Sequence, residues 1–280
     1  MFNYRKVSIT AGVAWAVLAV GSVTSAGAEF AAFTDSEKEE FLRTAKVVVR
    51  RGVGVGINNT EKVTLTSGGV THDAHLQTVN IHKTSYRTNE GVELNFRDGY
   101  QFNVAAYKLD RLVGLNMVPV SIERKIGGNA GSLTWWVDDV LMMERDRYQK
   151  KMRVPPLKNA AWNDQMFQIR IFNELIYNTD ANLGNILITK DWDVRIIDFS
   201  RAFRIHNKLR APENLRRCDP RVLKGLRELN MEVLQREMKG LLTKSEMKGL
   251  LARRDKIVDF FEREIAAKGE EAVLCNRPGH

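Results

Sequence analysis

The chain has 280 residues, 44% of them hydrophobic and 28% charged, the balance of a folded globular protein and not of a disordered one. That length buries a sizeable core, in one bilobal domain or two small ones. The formal net charge of +9 is not gathered in a basic tail, so it suits an acidic substrate, a nucleotide, an anionic surface or simply a soluble exterior. No aromatic-and-basic recognition motif accompanies it, which argues against a nucleic-acid partner.

Residues 1–28 have the layout of an export signal. Arg5 and Lys6 give a positive start, Ile9 to Val20 an apolar stretch, and Ala26-Gly27-Ala28 a small-residue cleavage site. The stretch is short for a spanning helix, so cleavage after Ala28 is expected, with an uncleaved membrane anchor as the alternative. Nothing later is long and apolar enough to cross a bilayer, so the mature chain is expected outside the cytoplasm and not membrane-spanning.

Thr34-Asp35-Ser36-Glu37 predicts a capping box that opens a helix ending near Lys46. Strand-like residues from Val47 and again from Val63 to Thr66 flank a glycine-rich stretch. There Gly52, Gly54 and Gly56 would let backbone N–H groups approach a phosphate. The spacing is not that of a Walker A loop, and an ordinary glycine-rich hairpin is the alternative. Thr71 to Asn80 predicts a strand. His72, His75 and His82 share that region, where packed or solvated histidines are favoured over a metal site. Gln101 to Val113 puts Phe102, Ala105, Ala106, Leu109 and Val113 on one side of a helix, stopped by Gly114 and Pro119. Ser132 to Val137 predicts a strand, Asp138 to Val140 a connection between lobes, and Lys151 to Pro156 a surface linker. Trp162, Met166, Ile169, Phe172, Leu175 and Ile176 then recur at helical spacing as a core stripe.

That helix leads into Tyr177 to Arg204, the most informative stretch. Asp180 stands five residues before Asn185, and Asp198-Phe199 follows two apolar runs, Ile186 to Ile188 and Val194 to Ile197. The runs predict a hairpin around Lys190 to Asp193, folding Asp198 back beside Asn185. Phosphoryl transfer needs a carboxylate to orient the acceptor hydroxyl. It also needs an amide oxygen and a second carboxylate to hold metal ions on the nucleotide phosphates. Asp180, Asn185 and Asp198 can fill those roles in that order. Asp and Asn are also common turn residues, so punctuation between a helix and a strand is the plainer alternative.

Further on, Asp219-Pro220 and Thr243 with Glu246 predict two helix starts. Ala211-Pro212-Glu213 spells the end of a protein-kinase activation segment but comes only 13 residues after Asp198, so it is read as coincidence and no long phosphorylatable activation loop is expected. Cys218 and Cys275 give no zinc spacing, and whether they pair is left open by sequence. A serine-hydrolase elbow, an HExxH helix and a dinucleotide fingerprint are all missing.

Two blocks, 103–119 and 174–204, resemble the secretory-pathway kinase family, which includes the Golgi casein kinase, the four-jointed-type kinases and bacterial kinase-like relatives. The first, NVAAYKLDRLVGLNMVP, is similar to the family's AAxxLDRxLxxxxVP helix and turn. The second carries NTDxxxGN and IIDFSRAFR where the family has its catalytic and metal loops, and is also similar to phosphoinositide kinases and bacterial toxin kinases. The resemblance implies an α+β, bilobal protein-kinase-like fold, with a small β-rich lobe over 29–140 and a mostly helical lobe over 141–280. It further implies ATP with Mg²⁺ or Mn²⁺, Asp180 as the catalytic carboxylate, and Asn185 and Asp198 as metal-facing groups. The family's nucleotide-contacting Lys falls at Gln77 and its helix Glu at Asn103, so neutral amides able to hydrogen-bond replace both members of an ion pair. No His-Arg precedes Asp180, and Ser200 replaces the Gly usual after Asp-Phe. Lys62 and Lys83 are candidates to return a positive charge to the phosphates. The implied function is an exported phosphotransferase acting on a hydroxyl of a protein, sugar or lipid head group. A catalytically impaired binding or activator protein, and a transferase moving a nucleotidyl group, are the alternatives.

Overall fold

Asp35–Thr44 (α1) begins where the sequence predicts, with Thr34 and Glu37 closing both bonds of the capping box. The computed structural model describes residues 33–52, 60–88 and 91–275. The export signal predicted over 1–28, and Gly54 and Gly56, lie outside them.

Five strands form the first layer: Lys46–Gly52 (β1), Thr60–Ser67 (β2), Val70–Gln77 (β3), Ser121–Ile126 (β6) and Asn129–Trp135 (β7). They run antiparallel in the order β1-β2-β3-β7-β6. Successive side chains of a strand take opposite faces, and β3 shows the division. Ala74 and Leu76 are buried with Val63, Leu65 and Leu133, and α1 covers this face, its Phe41 ring edge-on to Trp135 at 5.8 Å. Asp73, His75 and Gln77 take the other face, where Gln101–Leu112 (α2) meets the sheet. α2 ends at Gly114 with φ +70°, a conformation that favours glycine.

The LDR block of the sequence has a structural purpose here. The buried Asp110 carboxylate accepts from the backbone N–H groups of Met117 and Val118 at 2.9 and 3.1 Å, and Met117 in turn accepts from Ile196 N at 3.1 Å. Arg111 reaches Asp35 of α1 at 2.5 Å. One dipeptide thus fixes the turn after α2 and the seat of α1.

Asn80–Thr88 (β4) and Gly91–Gly99 (β5) form a separate two-stranded ribbon that the sequence did not signal. Asp138 and Asp139 form a turn, and Val140–Met143 is a strand (β8). It pairs with Ile186–Thr189 (β9), which pairs with Val194–Ile196 (β10) as the predicted hairpin. The α-helices that follow are Glu144–Gln149 (α3), Asn159–Ile176 (α4), Pro220–Glu228 (α5), Met231–Glu237 (α6), Lys244–Lys268 (α7) and Glu270–Val273 (α8). Asp219 caps α5 ahead of Pro220, and Thr243 with Glu246 completes a second capping box at α7. Cys218 and Cys275 are buried free thiols, although Cys275 N donates to Cys218 O at 2.9 Å. The architecture is α+β, an antiparallel sheet in the N-terminal region and helices in the C-terminal part. Among the described residues no helix is long and apolar enough to cross a membrane.

Candidate active site

The site starts where α4 stops. Tyr177 adopts a left-handed backbone, φ +49°, and Asn178 N folds back onto Asn173 O at 3.0 Å. The loop that follows is held by its own short polar side chains, as Asx residues do. Asn178 Oδ1 accepts from Asp180 N at 3.0 Å, Asn182 Oδ1 from Gly184 N at 2.9 Å, and Asn185 Nδ2 donates to Asp180 O at 3.3 Å. At the open end of the β9–β10 hairpin, Ile197 N donates to Asn185 O at 3.0 Å, which sets Asp198 beside Asn185.

Asp198 has φ +60°, a left-handed conformation that costs an ordinary residue roughly 1–2 kcal/mol and that Asp tolerates better than most. Bonds on either side hold it there. Ile197 is tied to Asn185, and Phe199 N donates to Asn103 Oδ1 at 2.8 Å. The same Asn103 amide donates through Nδ2 to Gln77 Oε1 and, at 3.2 Å, to Ser132 Oγ. Gln77 Nε2 reaches Asp198 Oδ1 at 3.4 Å. The two amides therefore join β3, β7, α2 and the Asp198 loop in one buried network. Close approach of the strands requires a glycine at 131, where an added Cβ would lie 2.7 Å from Gln77 O.

These groups line a cleft of about 670 Å³. Val118, Pro119, Trp136, Val137, Leu187 and Ile196 give it apolar walls, and Gln77, Asn103, Asp180, Asn185 and Asp198 all open into it. Gly52 does not: it pairs with Glu61 at the end of β1, with open space where a Cβ would be. Lys62 and Lys83 do not line the cleft either. Lys62 pairs with Asp73 at 2.8 Å, and Lys83 lies over the Tyr86 ring at 4.7 Å. Among the described residues the cations that line it are Arg145 and Arg201, neither singled out by any spacing rule. Arg201 Nε donates to Asp98 Oδ2 at 2.8 Å. The Asp98 side of this pair left no sequence signal, being far away in the chain.

Burial pushes the Asp180 carboxyl above the ordinary carboxylate range, the Asp198 charge adds to this, and Arg201 pulls the other way. Burial pushes His75 down against the opposing pull of Asp198. His72 stacks on Trp135 at 3.8 Å and meets Asp138 at 2.7 Å, while His82 is exposed on β4. Among the described residues no group of three or more His, Cys, Asp and Glu is placed to hold a metal. Asn185 and Asp198 instead offer an amide oxygen and a carboxylate. Among the described residues, the Asn185 contact to Asp180 uses its nitrogen and leaves Oδ1 free, and Asp198 receives only the long bond from Gln77. Hard oxygen donors of this kind suit Mg²⁺ or Mn²⁺ once phosphate and water oxygens complete the shell.

No protein-family profile and no curated protein matches the chain. Among solved structures it is similar to one described as the crystal structure of the Golgi casein kinase. That match has a TM-score of 0.58, covers 88% of this chain and 79% of that one, and is 13% identical. At such identity the likeness shows the fold alone, and the fold is kinase-like.

Proposed function

We propose that the chain is an exported phosphotransferase that moves the γ-phosphoryl of ATP to a hydroxyl of a protein, sugar or lipid head group. The observation that carries this reading is the meeting of Asp180, Asn185 and Asp198 in one cleft with apolar walls. The kinase-like fold supports it. Residues 29–140 would form the lobe over the nucleotide and residues 141–280 the lobe that carries the chemistry. The base would lie against Val118, Leu187 and Ile196, and Asn185 and Asp198 would hold Mg²⁺ or Mn²⁺. When bound, the metal neutralises phosphate charge. Asp180 would orient the acceptor hydroxyl and take its proton.

Product masses test the proposal. Incubation with ATP, Mn²⁺ and a panel of hydroxyl-bearing acceptors should add phosphate to one of them, and Asp180→Asn should slow this about 10²–10⁴-fold. Addition of AMP would overturn it in favour of nucleotidyl transfer. One observation favours a second reading, a kinase-like binding or activator protein. The neutral Gln77–Asn103 pair stands where the resembled family has Lys and Glu. That reading predicts neither product.

A further inference from the structure

A site for a triphosphate needs a fixed positive charge besides its metal ions, and the sheet supplies none. Gln77 is neutral, Lys62 is paired with Asp73, and burial favours the uncharged form of His75. Of the two cations lining the cleft, Arg145 is exposed at the start of α3 and is held only loosely, 3.8 Å from Asp146 and 3.7 Å from Met143 Sδ. Arg201 is different: it is anchored at both ends. Its carbonyl accepts from Thr179 N at 3.3 Å and Thr179 Oγ1 at 2.8 Å, one residue before Asp180. Its guanidinium is fixed through Nε to Asp98, a side chain 1% exposed at the base of the β4–β5 ribbon.

The form of that ion pair matters. Only Nε engages Asp98, and Asp98 Oδ1 is buried without a hydrogen-bond partner among the described residues. The guanidinium is therefore held in place while its two terminal NH₂ groups have no partner among the described residues. Those two groups form the fork that grips phosphate oxygens. The next peptide is also secured, since Gly99 N donates to Ser200 O at 2.9 Å. The position is preorganised beside Asp180, whose carboxyl feels the Arg201 charge.

We propose that Arg201 is the cation that binds the γ-phosphoryl group of the nucleoside triphosphate, in place of a lysine from the sheet. The proposal rests on the phosphotransfer reading of the cleft. In the transfer the acceptor oxygen forms its bond to Pγ and gives its proton to Asp180. The bond from Pγ to the β-bridging oxygen breaks, and ADP leaves with the electron pair. Arg201 donates hydrogen bonds to the non-bridging oxygens of the moving group throughout.

The test is calorimetric titration of the full-length protein with Mg·ATP and Mg·ADP, comparing the wild type with Arg201→Gln and Arg201→Lys. Arg201→Gln should weaken ATP binding roughly tenfold to a hundredfold, the range of a charge-assisted contact, and ADP binding by less than about twofold. Arg201→Lys should fall between the two proteins. If Arg201→Gln does not fold, because Asp98 is then buried unpaired, Asp98→Asn with Arg201→Gln removes both charges and should show the same selective loss. Equal weakening for ATP and ADP, or no change in either, would overturn the role of Arg201 while leaving the nucleotide site standing. A folded wild-type protein that binds neither nucleotide would overturn the phosphotransfer reading and this proposal with it.

Discussion

Asp110 is fully buried and serves two backbone N–H groups at once, and burial raises its carboxyl to about 6 despite the opposing pull of Arg111. An unfolded Asp titrates near about 3.9. Between those values the folded chain keeps a proton that the unfolded chain has lost, so stability falls as pH rises through this window. The expected loss is on the order of 3 kcal/mol. Asp110→Asn keeps an acceptor for Met117 and Val118 and should flatten that part of the stability–pH curve, measured by urea unfolding from pH 4 to 7. Asp110→Ala should flatten it too, and should lose about 2–4 kcal/mol at pH 4, because two buried N–H groups are left unpaired. At this scale the sequence was readable where chemistry is local. Asp180 and Asn185 are five residues apart, and the bonds that fix them run within the loop. Arg201 was not readable, since its partner Asp98 lies 103 residues away.

Between elements, the Asn103 side chain does what no single backbone bond can: it joins α2 to β3, to β7 and to the loop bearing Asp198. A glutamate there could accept from Phe199 N but could not donate to Gln77 and Ser132. Asn103→Ala should cost about 2–4 kcal/mol of stability, and it should weaken metal-dependent ATP binding by freeing the Asp198 loop. Unchanged unfolding and unchanged calorimetry would show that the network is incidental. The helix caps and the β9–β10 hairpin could be foreseen because their bonds close within a few residues. The β4–β5 ribbon could not. The alternation Val92, Leu94, Phe96 marks one strand, but Val92 and Leu94 are exposed, and Asn80 to Thr88 shows no apolar alternation to pair with it. Distant ion pairs help hold it, Arg97 to Glu246 at 2.7 Å and Arg204 to Glu93 at 3.0 Å.

For the whole molecule, α7 is the part that closes the site from behind. Arg253, fully buried, donates to Leu175 O at 2.8 Å, to Arg204 O at 2.9 Å and to His206 O. Burial lowers it only to about 10, so it remains a cation at neutral pH. It thereby holds the end of α4 against the chain leaving the Asp198 loop, while Glu246 on the same helix takes Arg97 of the ribbon. Arg253→Met preserves bulk but strands two buried carbonyls and a third that is part-buried, and urea unfolding should show a loss on the order of 3 kcal/mol. The fold class was legible because two motif blocks and a core helix stripe lie in separate stretches of chain. The role of α7 was not, since Arg253 has no local partner to announce it. The central claim is that Asp180, Asn185 and Asp198 make a metal-dependent nucleotide site. Calorimetry of Mg·ATP and Mn·ATP with the wild-type protein and Asp198→Ala tests it most directly. Binding that requires the metal and disappears in Asp198→Ala is predicted. A folded wild-type protein that binds ATP with neither metal would contradict it.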